Sequence, residues 1–133
     1  MAYNFQKFEG RNVRLENRIT ITKSNSIGFP SKFYNDNKIK DYKYVILYWD
    51  AGNRVIGIKF TNDESEKSKF TIIQSKVGYG GSVVVRSFFK TYGIDPKIYH
   101  GRYDWKKQNV EGVGDIYAVK IQEKKTYEEI KKP

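Results

Sequence analysis

The chain has 133 residues, with 25 Lys and Arg against 15 Asp and Glu, and a formal net charge of +10 at pH 7. This length suits one domain with one core and is too short for two independent cores. The absence of cysteine excludes a disulfide framework and a thiolate metal site, and no apolar stretch approaches the length that a bilayer requires. Because the first ten residues also lack the apolar core of a signal peptide, we expect a cytoplasmic protein that has no membrane partner.

Aromatic side chains are unusually frequent and favour strands over helices. The chain contains 11 Tyr, 8 Phe and 2 Trp, which together make up 16% of its residues. Aromatic and β-branched side chains fit a pleated, half-buried surface. We therefore expect a mainly β fold with short helices.

Patterning in the first half predicts a basic arm followed by strands and one helical turn. Ile19 and Ile21 alternate with threonines, as in a half-buried strand, and Pro30 suits the start of a helix. The loop 51–53 (AGN) is a hairpin signal. In chain order, the predicted elements are the arm at 1–17, strands at 18–23 and 27–29, a helical turn at 31–34, and strands at 44–50 and 54–61.

Patterning in the second half predicts a similar series after the polar connector 62–68. Gly93 follows a short apolar-periodic run and is suited to a helix C-cap. In chain order, the predicted elements are a strand at 69–76, a flexible loop at 78–81, a strand at 82–85, a helix at 86–92, paired strands at 97–105 and 115–122 around a loop at 106–114, and a charged tail at 123–133.

The two halves look like copies of one unit. When Ser31 is aligned with Ser87, Tyr44 falls within one residue of Tyr99, and the last strands place Lys59 opposite Lys120. We therefore expect one domain over 18–122, built from repeats at 19–60 and 70–121 about a pseudo-two-fold axis and sharing one core. Chance similarity of short β-rich segments is the alternative. The predicted core comprises Ile19, Ile21, Phe29, Phe33, Val45, Leu47, Ile56, Ile58, Phe70, Ile72, Val84, Phe88, Ile94, Val119 and Ile121.

The positive charge is concentrated at the N-terminal end. Residues 1–60 hold 11 basic and 5 acidic side chains, an excess of +6, whereas 61–97 hold 6 and 4 and 98–133 hold 8 and 6, an excess of +2 in each case. Such a field attracts polyanions and speeds their encounter, so nucleic acid is the expected partner. A lysine-rich surface that only maintains solubility is the alternative.

Catalysis and cofactors find little support in the sequence. His100 is the only histidine, and no G-x-S-x-G elbow is present. The chain also lacks H-E-x-x-H, C-x-x-C and EF-hand spacings. The segment 78–81 (GYGG) is not followed by Gly-Lys-Ser/Thr, so it does not predict a phosphate loop. We expect a non-enzymatic protein without a metal or cofactor.

Two family resemblances can be named from these residues. Residues 27–33 (IGFPSKF) and 83–89 (VVVRSFF) resemble the start of the repeat in the AbrB/SpoVT swapped-hairpin family. That resemblance implies a pseudo-two-fold β-barrel, which the duplicated chain would close alone. The chain also resembles a widespread group of small bacterial proteins of unknown activity, through ITI at 19–21, LYWD at 47–50, VIGI at 55–58 and FKTYGID at 89–95.

The swapped-hairpin resemblance also implies a place for DNA. In that family the loops matching 23–25 (KSN) and 74–76 (QSK) approach duplex DNA, which implies a transcriptional regulator. Lys and Arg there would contact phosphates, and Asn would reach base edges. The predicted nucleic-acid-binding residues are Arg14, Arg18, Lys23, Asn25, Lys32, Lys76 and Arg86.

Other interpretations stay open. Thr20, Thr22 and Lys23 are equally typical of the solvated side of a strand. A basic surface also suits an acidic protein partner, and a homo-oligomer is left open. Exposed aromatic side chains would indicate a single-strand binder that stacks unpaired bases, although large aromatics more often form a core. The aromatics concerned are Tyr42, Tyr44, Tyr48, Trp49, Tyr99, Tyr103 and Trp105.

Overall fold

The computed structural model describes residues 2–7, 16–75 and 80–123. In this part of the chain there are ten strands, three short α-helices and a 3-10 turn at Ile39–Asp41, so the predicted mainly β fold is confirmed. The elements are β1 (Ile19–Ile21), β2 (Ser26–Phe29), α1 (Ser31–Asp36), β3 (Tyr44–Asp50), β4 (Val55–Thr61), β5 (Phe70–Thr71), β6 (Ile73–Gln74), β7 (Gly81–Val84), α2 (Arg86–Tyr92), α3 (Pro96–Tyr99), β8 (Gly101–Tyr103), β9 (Lys106–Val110) and β10 (Gly114–Lys120). No described helix is long and apolar enough to cross a bilayer.

The strands form two antiparallel five-stranded sheets. Sheet I has the order β6-β7-β2-β1-β8, and sheet II has the order β5-β3-β4-β10-β9. The chain passes from sheet II to sheet I at Ile72, whose N–H donates to Lys43 O at 2.9 Å. This differs from the predicted closed barrel, which is not found among the described strands. At the far edges, Asp104 and Trp105 separate β8 from β9, and no ladder joins those two strands.

The inner faces of the two sheets meet in one hydrophobic cluster. Phe33 on α1 is fully buried, and its ring packs against the rings of Trp105 and Tyr117 at centroid distances of 5.1 and 5.3 Å. Twelve of the predicted core residues are buried, while Leu47 and Phe70 are partly buried against the cluster. The twelve are Ile19, Ile21, Phe29, Phe33, Val45, Ile56, Ile58, Ile72, Phe88, Ile94, Val119 and Ile121.

The structure places Val84 on the solvent face of its strand and not in the predicted core. Its side chain is 50% exposed, whereas Val83 and Val85 are completely buried. Side chains alternate across a strand, so an error of one residue exchanges the core face for the solvent face. The run of three valines offers no polar residue to reveal which of them point inward.

The predicted strand at 97–105 is divided in the structure. Its first part is helix α3, because Asp95 accepts a hydrogen bond from the Lys97 N–H and Pro96 occupies the first helical turn. The remainder is β8, which pairs with β1 and not with β10. The predicted loop at 106–114 contains β9, which is the antiparallel partner of β10.

Candidate nucleic-acid interface

The connection between β1 and β2, residues 22–25, forms a tight turn that we call turn A. Asn25 has a φ of 63°, the left-handed conformation that Asn tolerates better than most residues. The Thr22 N–H donates to Ser26 O at 2.9 Å, and the Ser26 N–H donates to Thr22 Oγ1 at 3.2 Å. These reciprocal bonds fix the turn and leave Lys23 exposed at its tip.

Turn A lies against the start of helix α2. The Val85 N–H donates to Asn25 O at 2.8 Å, and Arg86 follows immediately as the first residue of the helix. Lys23 and Arg86 are both exposed, and no described carboxylate is within ion-pair distance of either. The structure therefore brings three predicted site residues, including Asn25, to one end of the β2–β7 pair.

Ser75 and Gly80, which bound the connection between β6 and β7, lie at the other end of that pair, and this connection is called turn B. The Ser75 N–H donates to Gly80 O at 3.0 Å. Gly80 packs so closely on the β2–α1 junction that a Cβ on it would lie 2.4 Å from Phe29 O. Lys32 is on α1, directly after this junction. Lys76, the predicted site residue of turn B, lies outside the described residues.

The described site residues therefore form two groups. Asn25 and Pro30 flank β2 on either side and are five residues apart, which corresponds to roughly 16 Å at about 3.3 Å per residue. Lys32 is partly neutralised, because its Nζ lies 2.9 Å from Asp36 Oδ2 on the same helix face. Such an exposed pair is worth little energetically and opens readily. Turn A thus offers the more strongly uncompensated positive charge.

Arg18 is not part of either group. Its Nε and its backbone N–H donate to Glu16 Oε1 at 2.8 and 3.0 Å, and Arg102 Nη1 lies 3.6 Å from the other carboxylate oxygen. The sequence did not reveal Arg102 as a neighbour, because the pairing of β8 with β1 was not predicted. Arg14 lies outside the described residues. Since Glu16 offsets much of the charge here, we expect Arg18 to contribute little to phosphate binding.

The first testable prediction concerns this carboxylate. The side-chain hydrogen bond from Arg18, followed by its backbone N–H, lowers the pKa of Glu16 from 4.5 to about 2. Because the pKa of Glu16 is lower in the folded state, the ion pair stabilises the fold at pH values above the ordinary pKa. This stabilisation is lost as the pH falls through about 2. We expect NMR of the side-chain carboxyl to give a midpoint near the lowered value, which Arg18→Gln raises towards 4.5. A wild-type midpoint already near 4.5 would contradict the ion pair.

Most aromatics considered for base stacking belong to the core. Tyr99 and Tyr103 are buried, and Tyr42, Trp49 and Trp105 pack against the core cluster. Tyr44 is partly buried and donates its hydroxyl to Glu64 at 2.7 Å. Among the aromatics of that set, Tyr48 is the large side chain that is clearly exposed, at 38%.

Carboxylates near the turns have backbone partners. Asp50 accepts from the Asn53 N–H at 3.2 Å, and Asp63 accepts from the Ser65 N–H at 2.9 Å. Within the described ranges no three His, Cys, Asp or Glu side chains cluster as metal ligands would. The expectation of a chain without catalytic or metal chemistry stays a prediction.

The chain matches no protein-family model, no curated protein and no solved structure. The resemblances to the swapped-hairpin family and to the small bacterial group therefore remain expectations from sequence.

Proposed function

We propose that the chain is a non-enzymatic DNA-binding protein that contacts duplex phosphates through turns A and B. The observation that carries this proposal is the junction at Asn25 and Val85, which brings Lys23 beside the start of the helix bearing Arg86. Neither cation has a described carboxylate partner.

Each residue of turn A suits a different contact with DNA. Lys and Arg bind phosphates by charge, and each such contact releases condensed counterions. Asn25 carries an amide that can donate to and accept from a base edge, as Asn does with adenine. The rigid backbone of the turn limits the entropy lost on binding, because its hydrogen bonds are already made.

The strand pairing supports an internal two-fold repeat. The alignment of Ser31 with Ser87 also aligns Ile27 with Val83, and these two residues face each other in the β2–β7 pair. The alignment of Lys59 with Lys120 likewise aligns Gly57 with Ala118, which face each other in the β4–β10 pair. In an antiparallel pair, a residue that faces its own counterpart lies on a local two-fold axis.

The order of strands is compatible with a two-fold relation within each sheet, with β9 and not the segment that begins at Tyr99 as the counterpart of β3. In sheet I the β2–β7 pair is flanked by β1 and β6, and in sheet II the β4–β10 pair is flanked by β3 and β9. We infer that turns A and B are counterparts in the repeat, so that Lys23 in turn A and Lys76 in the sequence of turn B are corresponding cations. Two equivalent turns suit the two-fold symmetry of a DNA duplex.

The second testable prediction reverses the charge of both turns. Lys23→Glu combined with Lys76→Glu should weaken duplex binding and make the log–log dependence on salt shallower by about 1.8, since each phosphate contact contributes about 0.9. Exposed charges contribute little to stability, so the thermal unfolding curve should change little. Fluorescence anisotropy of a labelled random duplex, measured from low to moderate salt, gives both quantities.

The control for this variant has the same change in net charge at a distant place in the sequence. Lys124→Glu combined with Lys125→Glu should reduce duplex affinity less than the change in the turns. Two outcomes would favour an acidic protein partner over DNA. One is wild-type protein without duplex affinity at low salt, and the other is equal binding by wild type and both double variants.

A further inference from the structure

Sheet II has an outer face that carries a cluster of hydrophobic side chains. In an antiparallel sheet with one face on the core, the outward positions are normally polar. Here the outward residues of β3, β4 and β10 include five hydrophobic ones, which are Ile46, Tyr48, Val55, Ile116 and Ala118.

One continuous row crosses four strands of this face. Tyr48 faces Gly57, Gly57 faces Ala118, and Ala118 faces Lys106. Residues that face each other in an antiparallel pair point to the same side, so the row is a single track of roughly 14 Å at about 4.8 Å per strand. The row ends at the ring of Tyr48 on β3 and at the ammonium group of Lys106 on β9.

Because Gly57 has no side chain, the side chain of Tyr48 packs directly on the backbone of the sheet. A Cβ at Gly57 would be 3.0 Å from Ile116 Cγ2 and 3.2 Å from Tyr48 Cβ, so these two side chains close over the glycine. Among the described buried hydrophobic residues, Ile116 alone lies outside the core cluster, as expected for a residue covered from the outer face. Tyr48 nevertheless remains 38% exposed.

Three lysines surround this apolar track without forming ion pairs to described carboxylates. Lys59, Lys106 and Lys120 are outward residues of β4, β9 and β10, and none forms an ion pair with a described residue. Asp50, at the edge of the face, accepts hydrogen bonds from Asn53. The face therefore combines an exposed aromatic ring with three lysines that form no ion pairs with described carboxylates.

A groove extends the face at its β9 end. It has a volume of about 410 Å³, and Val55, Ala118 and the partly buried Trp105 line it. Lys106 and Lys120 also line the groove, and Asp104 is its one acidic residue. The groove gives a second aromatic side chain beside the lysines.

We propose that the outer face of sheet II binds single-stranded nucleic acid, with an unpaired base stacked on Tyr48 and phosphates at the three lysines. Stacking on an aromatic ring within a positively charged track is how proteins bind single strands with little sequence preference. Lysines without carboxylate partners suit a polyanion. The lysines disfavour self-association through this face, because two copies would bring like charges together. This surface is separate from turns A and B and goes beyond duplex binding.

The test uses labelled oligo(dT) and the full-length protein. Tyr48→Leu keeps an apolar side chain over Gly57 but removes the ring, and it should weaken oligo(dT) binding by about 10-fold, in the range found for loss of one stacked base. Tyr48→Phe keeps the ring and should bind as the wild type does. Thermal unfolding of both variants shows that the fold is retained.

A reciprocal pair of charge variants separates this surface from the turns. Lys106→Glu with Lys120→Glu should weaken oligo(dT) binding and spare duplex binding, whereas the Lys23 and Lys76 reversals should do the opposite. Failure of duplex binding alone would overturn the proposed function and leave this inference standing. Equal oligo(dT) binding by Tyr48→Leu and wild type would overturn the inference. Displacement of oligo(dT) by poly-glutamate at equal charge concentration would also overturn it, in favour of an acidic polypeptide.

Discussion

Phe33→Ala is expected to lower the free energy of unfolding by about 3–5 kcal/mol, as for other large aromatics removed from cores. Phe33 is 0% exposed, and its ring contacts rings from β2, β4 and β10 as well as Trp105. Phe33 thus fills the space between aromatic rings of the two sheets, and its truncation leaves a cavity. Urea unfolding followed by tryptophan fluorescence measures the change.

Phe5→Ala provides the matched control. The same atoms are removed, but Phe5 is 88% exposed, so the change should stay within about 0.5 kcal/mol. A loss below about 1 kcal/mol for Phe33→Ala would mean that the surrounding rings collapse into the space. That result would contradict the tight aromatic packing between the sheets.

The elements with strong local signals were predictable from sequence. The strand at Tyr44–Asp50 and the helix at Arg86–Tyr92 have the predicted bounds. The helix ends as expected at Gly93, whose φ of 66° is the left-handed conformation that favours glycine. In these segments, local preference and tertiary structure agree.

The alignment of the two halves indicates which valines of β7 face the core, whereas the sequence of β7 alone does not. It sets Val83 against Ile27 and Val85 against Phe29, and all four of these side chains are buried. Applied residue by residue, it would have placed Val84 on the solvent face. Three successive valines have no periodicity, so the inward positions had to come from a comparison with the other half.

The segment from Asp95 to Val110 was difficult to predict for two physical reasons. Asp95 followed by Pro96 is a helix-start signal, whereas the tyrosines that follow favour strands. Strand β9 (KKQNV) is almost entirely exposed, so it has no hydrophobic alternation, and its structure comes from pairing with β10. Long-range pairing of this kind has no local signature.

Charge counting indicated a basic protein but did not place its charges. It treated Arg18 as a contributor to the interface, whereas Glu16 holds that guanidinium in an ion pair. It also gave no weight to Lys106 and Lys120, because they lie in the half of the chain with the smaller excess. Whether a cation is available for a phosphate depends on neighbouring carboxylates, and those neighbours come from the fold.

Gly80→Ala should destabilise the protein by about 2–5 kcal/mol, because it combines backbone strain with a steric clash. The φ of Gly80 is +96°, and its new Cβ would approach Phe29 O to 2.4 Å and Ser31 N to 3.2 Å. Relief of that clash requires turn B to move away from the β2–α1 junction. We therefore expect duplex affinity to fall together with stability, since turn B carries Lys76.

Gly112→Ala separates the two causes. Gly112 has a φ of +80° but no atom within 4 Å of the position of a Cβ, so it reports backbone strain alone, about 1–2 kcal/mol. The difference between the two variants in urea unfolding is then the effect of the close approach to Phe29. Equal unfolding midpoints would show that turn B yields without resistance. Because a turn that yields so easily is not held in place for a phosphate, that result would also weaken the proposal that turn B binds DNA.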